Sequence, residues 1–291
     1  MNEFILSTSS TSDLPREYVE ENNLLYFSFS FDMEGKENKD NFGADMPIKD
    51  FYAKLREGIP SKTSMINRAS YEEGFVPYLE KGIDVLHIEF SSALSGSCHN
   101  ALAAAEELNA KYPGKLVVID SLCASLGLGL LVDYAVQMKK AGKSLQEIAD
   151  FVEANKKNII HWFTVDDLNH LRRGGRCSKA SAFFGTMLQI KPVLDVDDEG
   201  RLIPHFKVKG RKKSILEMFS RMKDDIKDPD GQTVFISHGD CLEDAETLKE
   251  LILTSSLNIK EVMINYVGPV VGAHSGPGTL ALFYMGKQRY N

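Results

Sequence analysis

Short apolar runs alternate with stretches of helical periodicity through the first half of the chain, the pattern of a parallel sheet covered by helices. Phe4 to Ser7 opens as a strand and gives way to a hydroxyl-rich loop, Thr8 to Ser12. Asp13-Leu14-Pro15 then predicts a helix start, with Asp13 as the oxygen cap and the proline near the first turn. Leu24 to Phe31 alternates as one half-exposed strand, and the polar segment from Met33 to Asp45 reads as a surface excursion. Helices are predicted over Pro47 to Glu57 and Tyr71 to Glu80, with Ile59 to Met65 as the loop between them. A strand over Asp84 to Phe90 leads through Ser91 to Ser97 into an alanine-rich helix. A further strand, Lys115 to Ile119, runs through Asp120-Ser121 into a long helix ending by about Gly142. Three strands thus exit into Ser/Thr-rich loops that start helices, and in an open parallel sheet such loops gather at the carboxyl edge, where ligands bind.

Past about Asn158 the order changes. A strand near Ile159 to Val165 is followed by a short helix, the turn Leu171 to Arg176 (LRRGGR) and an apolar helix near Ala180 to Leu188. Val193 to Val196 and Leu202 to Val208 form a hairpin across the turn-rich DDEG. Helices over Lys212 to Ile226 and Leu242 to Leu253 flank a strand at Thr233 to Ser237, and strands near Val262 to Val267 and Thr279 to Met285 bracket the loop GPVVGAHSGPG. The pattern predicts an α/β domain over residues 1–158 and an α+β domain with a largely antiparallel sheet over 159–291.

The 291 residues are 43% hydrophobic and 26% charged, an ordinary globular mix, which excludes a disordered tail or a fibrous repeat. A net charge of -7 argues against a broad nucleic-acid surface. No run reaches the roughly 18 apolar residues of a spanning helix, and Glu3 stands where a secretory signal carries positive charge, so the chain reads as cytoplasmic. Cys98, Cys123, Cys177 and Cys241 lie far apart without a C-x-x-C pair, which supports neither a metal site nor a disulfide framework.

Candidate chemistry gathers in four places. Ser95-Gly96 stands where a strand turns into a helix, so the hydroxyl and nearby amides either bind an anion or cap the helix. Thr63 and Ser64 supply hydroxyls in a proline-flanked loop, as donors to a ligand or as turn formers. His274 lies among Gly272, Gly276 and Gly278, which permit close backbone approach or positive φ. Arg172, Arg173 and Arg176 form a compact positive cluster suited to phosphate, to a partner's carboxylates or to internal ion pairs. Lys207, Lys209, Arg211, Lys212 and Lys213 read as a solvated face. Gly127 and Gly129 lack the third glycine of a dinucleotide fingerprint, and neither a phosphate loop nor a G-x-S-x-G elbow is present. Ser95 with His274 also admits an esterase or thioesterase, with Asp120 or Asp240 as the acid.

Seven motifs in one order, STSSTSDLP, PSKTS, SSALSGS, IDS, LRRGGR, IKPVLDVD and GPVVGAHSGPG, resemble the DegV family of fatty-acid-binding proteins across nearly the whole chain. The resemblance implies two α/β domains with a long-chain fatty acid buried between them and no cofactor. It further implies a carrier that does no chemistry alone, like the FakB-type subunits that present the acid's carboxylate to a separate ATP-dependent kinase for acyl-phosphate formation and phospholipid synthesis. By the same resemblance Thr63, Ser95 and His274 hold the carboxylate, Ser64 and the Gly96 amide are neighbours, and Arg172, Arg173 and Arg176 face the kinase. Membrane contact would be peripheral and transient at most. The chain departs from the family pattern at Ser9, at Met65 and Ile66, and at Ser97 and Cys98.

Overall fold

The computed structural model describes residues 3–177 and 190–290. Its first part runs β1 (Phe4–Ser9), α1 (Arg16–Glu21), β2 (Leu25–Phe27), β3 (Ser30–Met33), β4 (Lys36–Lys39), α2 (Ile48–Arg56), β5 (Ser61–Ser64), α3 (Arg68–Leu79), β6 (Asp84–Glu89), α4 (Ser97–Lys111) and β7 (Leu116–Asp120). Helices α5 (Leu126–Lys140) and α6 (Leu145–Asn155) follow, then β8 (Ile159–Thr164) and α7 (Asn169–Gly174). Beyond residue 189 come β9 (Ile190–Val196), β10 (Leu202–Lys209), α8 (Arg211–Asp225), β11 (Thr233–His238), α9 (Leu242–Leu253), β12 (Glu261–Tyr266), α10 (Pro269–Ser275) and β13 (Leu280–Met285). The helix predicted over Ala180 to Leu188 lies outside the described residues.

Three sheets form among these residues. The first is wholly parallel, in the order β2-β1-β6-β7. Its central strand β6 is buried on both faces, so neighbours alternate between two cores: Val85 packs with Phe75 and Ala101, while Leu86 and Ile88 pack with Leu126 and Leu130. The large sheet, in the order β10-β9-β8-β13-β11-β12, is antiparallel except for the β11–β12 pair, as the sequence predicts. Helix α5 packs against both sheets, touching β1 and β6 on one side and β8, β11 and β13 on the other. Among the described residues no helix is long and apolar enough to cross a membrane.

The third sheet, β4-β3-β5, corrects three expectations. The run Leu24 to Phe31 is two strands: β2 joins the parallel sheet, and two residues later β3 pairs antiparallel with β4 and β5. Strand β4 lies in the expected surface excursion and β5 in the expected loop. Neither carries an apolar period of its own, and both are templated by β3, which buries Phe31 and Met33. Helix α6 goes unpredicted although Ser144 and Glu147 form a reciprocal capping box at its start.

Asp13 does not cap α1, whose cap position is Pro15. It adopts positive φ, and its buried carboxyl accepts hydrogen bonds from the Gly268 amide at 3.0 Å and the Ser125 hydroxyl at 2.5 Å. The Asn265 amide donates to its carbonyl at 2.7 Å, so one residue ties β1's loop to the segment before α10. A Cβ on Gly268 would stand 2.6 Å from the Asp13 carboxyl, so only glycine fits there. Burial, then the neighbouring Asp40, pushes the Asp13 carboxyl well up. Burial likewise raises Asp40 to about 7.

Asp13→Ala leaves buried donors unpaired and is expected to cost about 2 to 4 kcal/mol in urea denaturation, with Asp13→Asn costing less. A cost under about 0.5 kcal/mol would remove Asp13 from the joint. Because Asp40 titrates higher in the folded chain than unfolded, its contribution to stability is present at low pH and lost as pH rises through about 7. Asp40→Asn, measured by chemical denaturation across this range, is expected to flatten that decline.

Candidate ligand site between the sheets

An apolar cavity of about 250 Å³ opens between the parallel sheet and the large sheet. The loops after β6 and β7 supply Phe90, Leu94, Ser95, Gly96, Ala124 and Ser125. Strands β8, β9 and β13 add His161, Phe163, Val196, Ala281 and Phe283, and α10 adds Val270, Val271, His274 and Ser275. Two of the three loops expected at the carboxyl edge therefore line it. The loop after β1 is buried instead and ties the sheets together through Asp13.

Its polar groups converge from distant parts of the chain. The Thr63 hydroxyl lies 2.8 Å from the His274 Nε2 across 211 positions of sequence. Strand alternation points Thr63 inward and leaves its neighbour Ser64 exposed and outside the cavity lining. His274 sits in the last turn of α10 rather than in an open glycine loop. Pro269 preorganises the first turn, Gly272 lies so close to the Tyr52 hydroxyl (2.5 Å from where its Cβ would be) that no side chain fits, and Gly276 leaves the helix at φ +83°. Gly174, at the end of α7, packs directly on the His274 ring.

Ser95 lines the cavity and also accepts a 3.2 Å hydrogen bond from the Ser97 amide, so the capping and site readings coexist. Gly96 is the N-cap residue of α4 and lines the cavity beside Met65. One of the three arginines also borders the cavity. Arg172 and Arg173 are exposed on α7, with Arg173 donating to the His170 Nδ1 at 3.2 Å. Arg176 lines the cavity, holds the Leu94 carbonyl at 3.3 Å and acts electrostatically on His274. Arg176 is exposed like its two neighbours and in addition borders the cavity. Sequence reasoning also missed Ser275, whose buried hydroxyl lines the cavity without a hydrogen-bond partner; its only signal is its place after His274.

Burial, then the positive charge of Arg176, lowers the His274 imidazole to about 4, so the ring is neutral at pH 7. The proposed acids lie elsewhere. Asp120 accepts from the Ser92 and Leu122 amides at 3.2 and 3.1 Å, and Asp240 pairs with Arg56. A different Ser-His-acid chain does exist: Ser7 lies 2.9 Å from the His87 Nδ1, and His87 Nε2 lies 2.8 Å from Glu89. All three side chains are buried outside the cavity lining. Burial raises the Glu89 carboxyl, but His87, Tyr71 and Ser9 outweigh it and hold the group charged. This chain is a structural network. Among the described residues no cluster of His, Cys, Asp and Glu is arranged to hold a metal ion.

Residues 4–287 match the family profile described as "Uncharacterised protein, DegV family". The chain belongs to the DegV family. A DegV domain-containing protein of Clostridium perfringens is 46% identical over 287 residues, covering 98% of each chain. The structure of a DegV family protein from Thermus thermophilus, described by its fatty acid binding, superposes with a TM-score of 0.88 at 28% identity, over 98% of this chain and 99% of that one. DegV of Bacillus subtilis, described as a fatty acid binding protein, gives 0.85 at 27% identity over 99% and 100% of the two chains. The DegV fold expected from the seven motifs is therefore the fold observed, and structures of DegV family members bind fatty acids.

A His274 imidazole depressed to about 4 is expected to show no NMR titration between pH 5 and 8, and a carboxylate placed beside it should raise its midpoint. A midpoint near 6.5 without added acid would place the ring in water.

Proposed function

We propose that this protein binds a long-chain fatty acid between its two halves, 1–158 and 159–291, and presents the carboxylate to a separate ATP-dependent kinase. The observation that carries the reading is the composition of the cavity: hydrocarbon walls over most of its surface, with Thr63, Ser95, His274, Ser275 and Arg176 offering polar groups about the Thr63–His274 contact. The other polar lining residues, Ser125, His161, Ser237 and Thr279, are engaged in hydrogen bonds elsewhere. Each methylene taken out of water contributes roughly 0.8 kcal/mol, so the tail supplies affinity. A buried carboxylate is costly unless hydrogen-bonded, and hydroxyls, an imidazole N–H and a guanidinium are suited to hold it. The neutral imidazole can donate one N–H while the formal positive charge comes from Arg176. Exposed Arg172 and Arg173, on the helix whose end packs on His274, are the surface we assign to the kinase. Among the described residues no acid is hydrogen-bonded to His274, which favours holding a carboxylate over activating a serine.

Native and denaturing mass spectrometry of the purified protein is expected to release a long-chain fatty acid; a protein that stays empty after incubation with such acids overturns the reading. Thr63→Ala, Ser95→Ala and His274→Ala should each weaken retention by about 1 to 3 kcal/mol. Arg173→Ala should slow acyl-phosphate formation by the kinase with binding intact, whereas lost binding would move Arg173 into the ligand site.

A further inference from the structure

Arg289, in the segment after β13, is only 1% exposed, an expensive place for a guanidinium. Its donors go to four acceptors on three separate stretches of chain. Nε reaches the Ile159 carbonyl at 3.3 Å, Nη1 the Asp197 carbonyl at 2.7 Å, and Nη2 the Lys156 carbonyl at 3.0 Å and the Cys123 Sγ at 3.4 Å. These acceptors are the start of β8, the turn of the β9–β10 hairpin, the approach to β8, and the loop after β7.

Each of the three stretches delivers a wall of the cavity. Ala124 follows Cys123, and Val196 and Leu202 flank the hairpin turn. His161 donates from Nδ1 to the same Ile159 carbonyl at 2.9 Å and accepts the Ala124 amide on Nε2 at 3.2 Å. Both ring nitrogens are thus occupied, and burial followed by Arg289 keeps the ring neutral. Ala124, His161, Val196 and Leu202 offer a carboxylate no free donor, so this part of the wall faces hydrocarbon.

We propose that Arg289 is a positioning residue for acyl-chain selection: it clamps the loop after β7, β8 and the β9–β10 turn so that the wall they form sets the length of tail accepted. The inference rests on the fatty-acid reading above. Tetradecanoic, hexadecanoic and octadecanoic acids should be competed against cis-parinaric acid on the full chain, comparing wild type with Arg289→Met and Arg289→Lys. In Arg289→Met the affinity ratio of the longest to the shortest acid is expected to shift by about fourfold or more, the effect of one methylene changing its burial. Arg289→Lys, which keeps the cation and loses the fork, should shift it in the same direction and supplies the test if Arg289→Met does not fold by circular dichroism. A merely structural role weakens all three acids equally, and an unchanged ratio in a folded variant overturns the proposal. If cis-parinaric acid does not bind wild type, the fatty-acid reading itself fails; if it binds and only the ratio stays fixed, Arg289 alone is misassigned.

Discussion

The Asp13 carboxyl meeting the Gly268 amide is the contact on which the geometry of the cavity depends. Asp13 follows the first strand of the parallel sheet, and Gly268 caps the helix that carries His274. Fixing one end of a seven-residue helix fixes the other, about 10 Å along its axis. The same carboxyl holds Ser125, which also lies 2.9 Å from Ser237 on the large sheet. One acid therefore orients the imidazole and aligns the two walls around it. Buried acids without a cation partner are costly, and Asp13 and Asp40 both respond by titrating upward.

The cavity follows the same electrostatic logic with the sign reversed. His274, buried and close to Arg176, is kept neutral, so the pocket carries one fixed positive charge rather than two. A carboxylate is then matched in charge by Arg176 without a further cation at His274 facing the hydrocarbon walls. His161 is silenced more completely, with both nitrogens spent on backbone groups. The two histidines share a chemistry and differ in what they bond to: a side-chain hydroxyl for His274, main chain for His161.

What was legible in the sequence follows from local rules, and what was not follows from tertiary ones. The parallel sheet, the hairpin and the helices α4, α8 and α9 announce themselves through apolar period and composition. Strands β4 and β5, reading KENK and SKTS, have no such period and exist because β3 offers them a partner. Helix α10 was hidden because four glycines of GPVVGAHSGPG read as a loop, although Pro269 marked its first turn. The motif resemblance singled out Thr63, Ser95 and His274, and all three line the cavity. It grouped Ser64 with Thr63 because adjacency in sequence hides which way a strand points a side chain.

The Thr63–His274 contact, spanning 211 residues, also constrains the order of folding. Local elements form first, and a contact of such sequence separation is made only after both sheets are in place and the intervening loop entropy has been overcome. Until then the apolar walls of the cavity face water together, a sticky stage in a chain of this size. An amphiphile that occupies those walls binds only the finished arrangement and draws the population toward it. On the proposed fatty-acid reading the cargo would also be a folding partner, and the supply of lipid in the surrounding medium would become a determinant of how much native protein accumulates.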